Sequence, residues 1–170
     1  MKPNSNPKTK PKFKRKPKPN PASNPSPKLC SDAWLLLGIS SVPGELVLQA
    51  GWLSFTAHHT GSAWPWQLRK LARRVASPGI AATIDAGTDT VVFKWSAQDL
   101  QAWCPWYYFG GGIKIRQADT VLRFSLGRPA NMNLSDSDAA ESLAEVGRMR
   151  SQGRLWLAAL QAPPPTGPGQ

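Results

Sequence analysis

Arg69, Lys70, Arg73 and Arg74 put four positive charges into six residues, just after two tryptophans, Trp64 and Trp66. Cations at this density attract phosphate and carboxylate groups. An indole beside them suits the boundary between lipid headgroups and acyl chains. A second cationic set follows at Lys114, Arg116 and Arg123, with Arg128 close by in sequence. If the chain turns at Ala118-Asp119, Lys114 faces Arg123 across a strand pair. Like charges directly opposite each other destabilise such a pair, and an anionic neighbour would relieve them. Each set also has an ordinary explanation, as the wet face of a docked helix or of a sheet.

Other chemistries fit less well. Residues 103–116, WCPWYYFGGGIKIR, place three glycines ahead of a lysine. A Walker-type phosphate loop needs a hydroxyl residue after that lysine and a helix beyond it. Here an isoleucine and a strand pattern follow, and the missing helix also rules out a dinucleotide fingerprint. The glycines predict instead a bend or bulge with positive φ, the aromatics packing at a sheet edge. His58 and His59 are adjacent, so on a strand they point to opposite faces. Cys30 and Cys104 form no CxxC pair and no disulfide framework, so neither a metal site nor a disulfide is expected. No Ser/His/Asp or Cys/His spacing stands out, although His58 or His59 could be paired on paper with Cys104. The expectation is a chain that is not an enzyme and carries no cofactor.

The elements that must hold these residues can be read from periodicity. GELVLQAGWLSFTA (44–57) alternates with period two. A two-residue turn at Ala50-Gly51 brings Leu48 opposite Leu53 and Leu46 opposite Phe55, all on one face. Glu45, Val47, Ser54 and Thr56 then lie on the other. WLLLGIS (34–40) reads as a preceding strand, broken before Pro43-Gly44. Trp64, Leu68, Leu71 and Val75 recur at helical spacing. Pro65 suits the first turn, Ser62 is the expected cap, and Pro78-Gly79 ends the run. TVVFKW (90–95) is a further strand after a turn at DAGTD (85–89). The turn at Ala118-Asp119 sets Ile115 against Leu122 and Ile113 against Phe124. Ala139, Leu143, Val146, Met149, Trp156 and Leu160 trace one face of a C-terminal helix over about 137–160. Asp136, Asp138 and Glu141 lie at its start and Arg148, Arg150 and Arg154 later, which suits the helix dipole. Gly147 and Gly153 either weaken this helix or let it pack closely. Trp34, Trp52, Trp95, Trp103 and Trp156 are expected in the core or at its rim. The sum is a mainly β fold of six or seven short strands. It is expected as an antiparallel sandwich or barrel capped by a C-terminal helix, with a short amphipathic helix inserted.

The charge is unevenly spread. The whole chain carries +11, and residues 1–28 hold 8 Lys and 1 Arg with no acid. They also hold 8 of the 17 prolines, so this segment reads as a disordered, self-repelling arm. Such an arm either solubilises or seeks an anionic partner: nucleic acid, ribosome or acidic lipid. The folded region spans 29–160, and 161–170 reads as a Pro/Gly-rich tail. The apolar run Ala33–Ile39 is too short to span a membrane. The arm is too long and proline-rich for the leading part of a signal peptide, so a cytoplasmic protein is expected.

Over about 34–160 the order resembles a pleckstrin-homology-like domain of the GRAM type. PGELVLQAGWLSFTA is similar to the opening hairpin of that family. VVFKWSAQDL is similar to its strand running into a short connector. PWYYFGGGIKIRQADTVLRFSLGRPAN is similar to a segment of short bacterial proteins of this kind. The helix at 64–76 is an insertion relative to a minimal domain, and the arm is foreign to the family pattern. The resemblance implies a binding or scaffold module for lipid, peptide or protein. The expected partner is an anionic membrane surface or a protein, with nucleic acid or ribosome, held through residues 1–28, as the alternative. Lys114, Arg116, Arg123, Arg69, Lys70, Arg73 and Arg74 are the candidate anion contacts. Trp64 and Trp66 are the candidate membrane-interface residues.

Overall fold

The computed structural model describes residues 28–108, 111–128 and 139–162. Residues 1–27 of the basic arm, 163–170 of the Pro/Gly-rich tail, Gly110 and the acids Asp136 and Asp138 lie outside them; Gln161, expected in the tail, instead ends the last helix. Ten principal elements follow in order: β1 (Leu29–Leu37), β2 (Ser40–Gln49), β3 (Trp52–Ala57), α1 (Pro65–Arg74), α2 (Ile80–Asp85), β4 (Thr90–Ser96), β5 (Leu100–Trp103), β6 (Gly112–Gln117), β7 (Thr120–Ser125) and α3 (Ala139–Gln161). The strands form one seven-stranded antiparallel sheet in the order β4-β3-β2-β1-β7-β6-β5.

Both expected hairpins form in the expected register. Leu46 pairs with Phe55 and Leu48 with Leu53. Ile113 pairs with Phe124, Ile115 with Leu122 and Lys114 with Arg123. The break expected before Pro43-Gly44 lies earlier, at Gly38-Ile39, where Gly38 takes a φ of 83°. Pro43 sits inside β2, between two partners. It is tolerated because its carbonyl accepts from His58 N–H (3.1 Å), just past the end of β3. Its missing N–H therefore falls where pairing has already stopped.

The sheet is rolled, not flat. The edge strands β4 and β5 stand at opposite ends of the order, yet only Ala97–Asp99, a 3-10 turn, joins them. A flat sheet would hold these edges about 29 Å apart at ~4.8 Å per strand. Four peptide steps reach at most about 14 Å. Aromatic packing agrees. Phe55 of β3 and Phe124 of β7 have ring centroids 5.2 Å apart with two strands between them in the order. The inner faces enclose a core of Leu35, Leu46, Leu53, Phe55, Ile113, Ile115 and Phe124, all fully buried.

Helices lie at the two ends of the roll. α1 sits by the β1–β2 and β6–β7 turns: Gln67 Nε2 donates to Leu37 O (2.7 Å), and Thr120 Oγ1 donates to Arg74 O (3.1 Å). α2, which periodicity missed, packs beside α1 and β4 and contributes buried Ile80 and Ile84. α3 covers the other end. Its fully buried Trp156 donates from Nε1 to Ser31 Oγ (2.6 Å), and Gln161 Nε2 donates to Ala102 O (3.3 Å). Gly153 is buried, whereas Gly147 faces open space.

The glycine stretch serves α3. Gly111 and Gly112 do not adopt the positive φ expected of a bend. They are small because neighbours press on them. A Cβ on Gly111 would lie 3.1 Å from Met149 Cβ, and one on Gly112 would lie 2.8 Å from Phe124 O. A Cβ on Gly127 would collide with Met149 Sδ. Gly111 and Gly127 form the slot that seats Met149 of α3, while Gly112 is pressed by Phe124 and Tyr108.

Candidate anion-binding surface

α1 positions most of the cations. Its buried face is Gln67, Leu68, Leu71 and Ala72. At 100° per residue, Trp66, Arg69, Lys70 and Arg73 fall on the opposite face, and all four are exposed. Trp64, placed in sequence both on the helix's apolar stripe and among the membrane-interface candidates, is the N-cap and 62% exposed; Trp66 is 56% exposed. An indole offers no acceptor for the first helical amides. Gln67 supplies the cap from inside the helix, its Oε1 accepting from Trp64 N–H (2.8 Å). Ser62, the expected cap, accepts from Ser41 N–H (2.9 Å) instead. Arg73 and Arg74 occupy the last turn, where the orphan carbonyls favour a cation.

The second set lies on the outer face of β6 and β7. Lys114 and Arg123 stand directly opposite each other. The two sets meet. Arg74, Lys114, Asp119, Thr120, Val121 and Arg123 line one groove of about 470 Å³ between the end of α1 and the β6–β7 hairpin. The Thr120–Arg74 hydrogen bond ties its two walls. Three cations and one carboxylate leave the lining net positive.

Two residues of the second set stand apart. Arg116 leans over Trp103, its Cζ 5.5 Å from the ring centroid, which satisfies its charge in a cation–π contact away from the groove. Arg128 follows the far end of β7, at the α3 side, so nearness in sequence does not bring it to the groove. Arg69, Lys70 and Arg73 continue the positive surface along α1 without lining the groove. Asp119, Thr120 and Val121 are the lining residues that sequence reasoning passed over. Asp119 is an ordinary turn residue and the other two open β7, and only the docking of α1 gives them a place in the site.

Gly111, within the glycine stretch, has its backbone groups already used. Gly111 N–H donates to Tyr108 O and Gly111 O accepts from Leu126 N–H, each at 2.8 Å, so neither group is left for a ligand. His58 Nδ1 lies 2.9 Å from Asp89 Oδ1, while His59 Nδ1 accepts from Gly61 N–H (3.0 Å). Cys30 Sγ donates to Glu45 Oε1 (2.8 Å), and burial together with that carboxylate pushes the thiol pKa up.

No protein-family model matches the chain, and a search of curated proteins finds no match. Among the described residues, no helix is long and apolar enough to cross a membrane.

Proposed function

We propose that this chain is a non-enzymatic binding or scaffold domain of the pleckstrin-homology-like, GRAM-type class, a β-barrel or sandwich of that kind in the cytoplasm. It associates peripherally with an anionic surface, either acidic membrane or a protein bearing such a face. The strand order, the rolled sheet and the C-terminal helix support the fold assignment. The meeting of Arg74 with Lys114 and Arg123 in one groove carries the functional one. Two cationic sets that are separate in sequence become one surface, with Arg69, Lys70 and Arg73 extending it and Trp64 and Trp66 at its edge. The arm adds +9 of charge as a second, non-specific attachment, since one weak anchor rarely holds a protein at a membrane.

Sedimentation with vesicles of neutral lipid, and of neutral plus acidic lipid, tests this on the full chain and on a chain lacking residues 1–28. Binding of both forms to acidic vesicles alone is expected, the shorter more weakly. Arg73→Glu with Arg74→Glu should then remove binding of the shorter chain. A full chain that ignores acidic vesicles yet shifts RNA with a steep salt dependence would establish the second reading, nucleic-acid or ribosome association through residues 1–28.

A further inference from the structure

Ile39 is 88% exposed at the tip of the β1–β2 turn. The turn needs Gly38 at positive φ, but nothing in it asks for a β-branched apolar residue. Turn positions favour small polar residues such as Asn or Ser. Trp64 and Trp66 pose the same puzzle, because neither a cap nor an exposed helical position calls for an indole.

The structure gathers these three side chains at one corner. The Gln67 amide spans from Leu37 O (2.7 Å) to Trp64 N–H (2.8 Å), pinning the β1–β2 turn to the start of α1. Ser41 and Ser62 bond reciprocally: Ser41 N–H donates to Ser62 Oγ (2.9 Å) and Ser62 N–H to Ser41 O (3.0 Å). Ile39, two residues before Ser41, and Trp64, two residues after Ser62, therefore emerge side by side. Trp66 shares its helix face with Arg69, Lys70 and Arg73. Between Glu45 and Asp85 the sequence has no acidic residue.

We infer that Ile39, Trp64 and Trp66 form an apolar wedge that enters the headgroup boundary of an acidic bilayer, so that the protein docks end-on, α1 side down. The inference rests on the peripheral-membrane form of the proposed function and gives it an orientation. Indoles and an aliphatic tip bordered by cations match a bilayer surface, where apolar atoms pass below the headgroups while guanidinium and ammonium groups meet the phosphates. The β6–β7 groove lies at the same end of the roll and faces the same layer. Leu68 and Leu71 are already used in the core, so the wedge alone supplies insertion.

The full chain and the triple variant Ile39→Ser/Trp64→Ser/Trp66→Ser are compared on vesicles containing acidic lipid, across a salt series. All three side chains are exposed, so an unchanged thermal midpoint is expected and serves as the folding control. Vesicle partitioning should fall at least about tenfold with the salt slope preserved, because apolar contact is lost and charge is kept. Lipids brominated along the acyl chain should quench the wild-type tryptophan fluorescence. Trp64→Phe/Trp66→Phe should keep binding and lose most of that quenching. If wild type binds but the triple variant partitions equally, the surface is electrostatic only and the wedge is refuted, while the proposed function stands. If wild type does not bind, the wedge and the membrane form of the proposed function both fall, and only association with a protein is left. If wild type self-associates in solution and the triple variant is monomeric without a change in vesicle binding, the corner is a contact between copies and the wedge is likewise refuted.

Discussion

Hairpin β2–β3 turns at Ala50-Gly51 and buries Leu46, Leu53 and Phe55; hairpin β6–β7 turns at Ala118-Asp119 and buries Ile113, Ile115, Leu122 and Phe124. Their inner faces are interchangeable in kind, and their outer faces are not. The first sets Glu45 opposite Thr56 and Val47 opposite Ser54. The second sets Lys114 opposite Arg123, with Arg116 two residues along. Packing explains both inner faces. It does not explain why one outer face carries an opposed pair of cations, since a neutral or mixed pair would serve the sheet better. The difference separates what folding requires from what it merely permits.

The largest effects are expected at the inner faces. Phe55→Ala and Phe124→Ala should each cost about 3–5 kcal/mol in denaturant unfolding. Costs that differ by more than about 2 kcal/mol would show that the hairpins are not equivalent in the core. Charge reversal at the outer face gives a smaller and more pointed effect. Arg123→Glu should stabilise the fold by about 0.2–1 kcal/mol while weakening binding to acidic vesicles. A loss of stability there would give Arg123 a folding role and dissolve the contrast. The turns come next. Ala50 and Ala118 both hold a positive φ, of 51° and 48°. Asparagine tolerates that conformation better, so Ala50→Asn and Ala118→Asn should each add ~0.5 kcal/mol without changing binding. The smallest effect concerns the first outer face. Burial, then the hydrogen bond and charge of Glu45, raise the Cys30 pKa, so less thiolate is present at any given pH. Glu45→Gln should lower that pKa and speed alkylation of Cys30 near pH 8, followed by mass spectrometry.

Period-two patterning made both hairpins legible to the residue, because one register alone buries every apolar side chain. Short elements were harder to read. α2 has six residues and β5 four, too few for a period to declare itself. Pro43-Gly44 looked like a break because proline usually ends pairing, and only the position of the end of β3 explains its place in β2. The glycines suggested a bend, whereas Gly111 is small because of Met149, on a helix far along the chain, and Gly112 because of Phe124 and Tyr108. Seven candidate cations and two tryptophans could be picked out by type. That Arg74 meets Lys114 and Arg123, that Arg116 leans toward Trp103, and that Ile39 stands beside Trp64 depend on tertiary docking, which no local pattern encodes.

The strand order also has a consequence for how the molecule is made. β1 finds β2 as soon as β2 is synthesised, but its other edge pairs through Leu35 with Phe124 of β7, and Ser31 receives its bond from Trp156 of α3. A growing chain therefore carries an unfinished sheet edge until β7 has left the ribosome. Such long-range closure favours slow folding, and the open edge can pair with another chain in the interval. Completion of this domain waits for its last two elements.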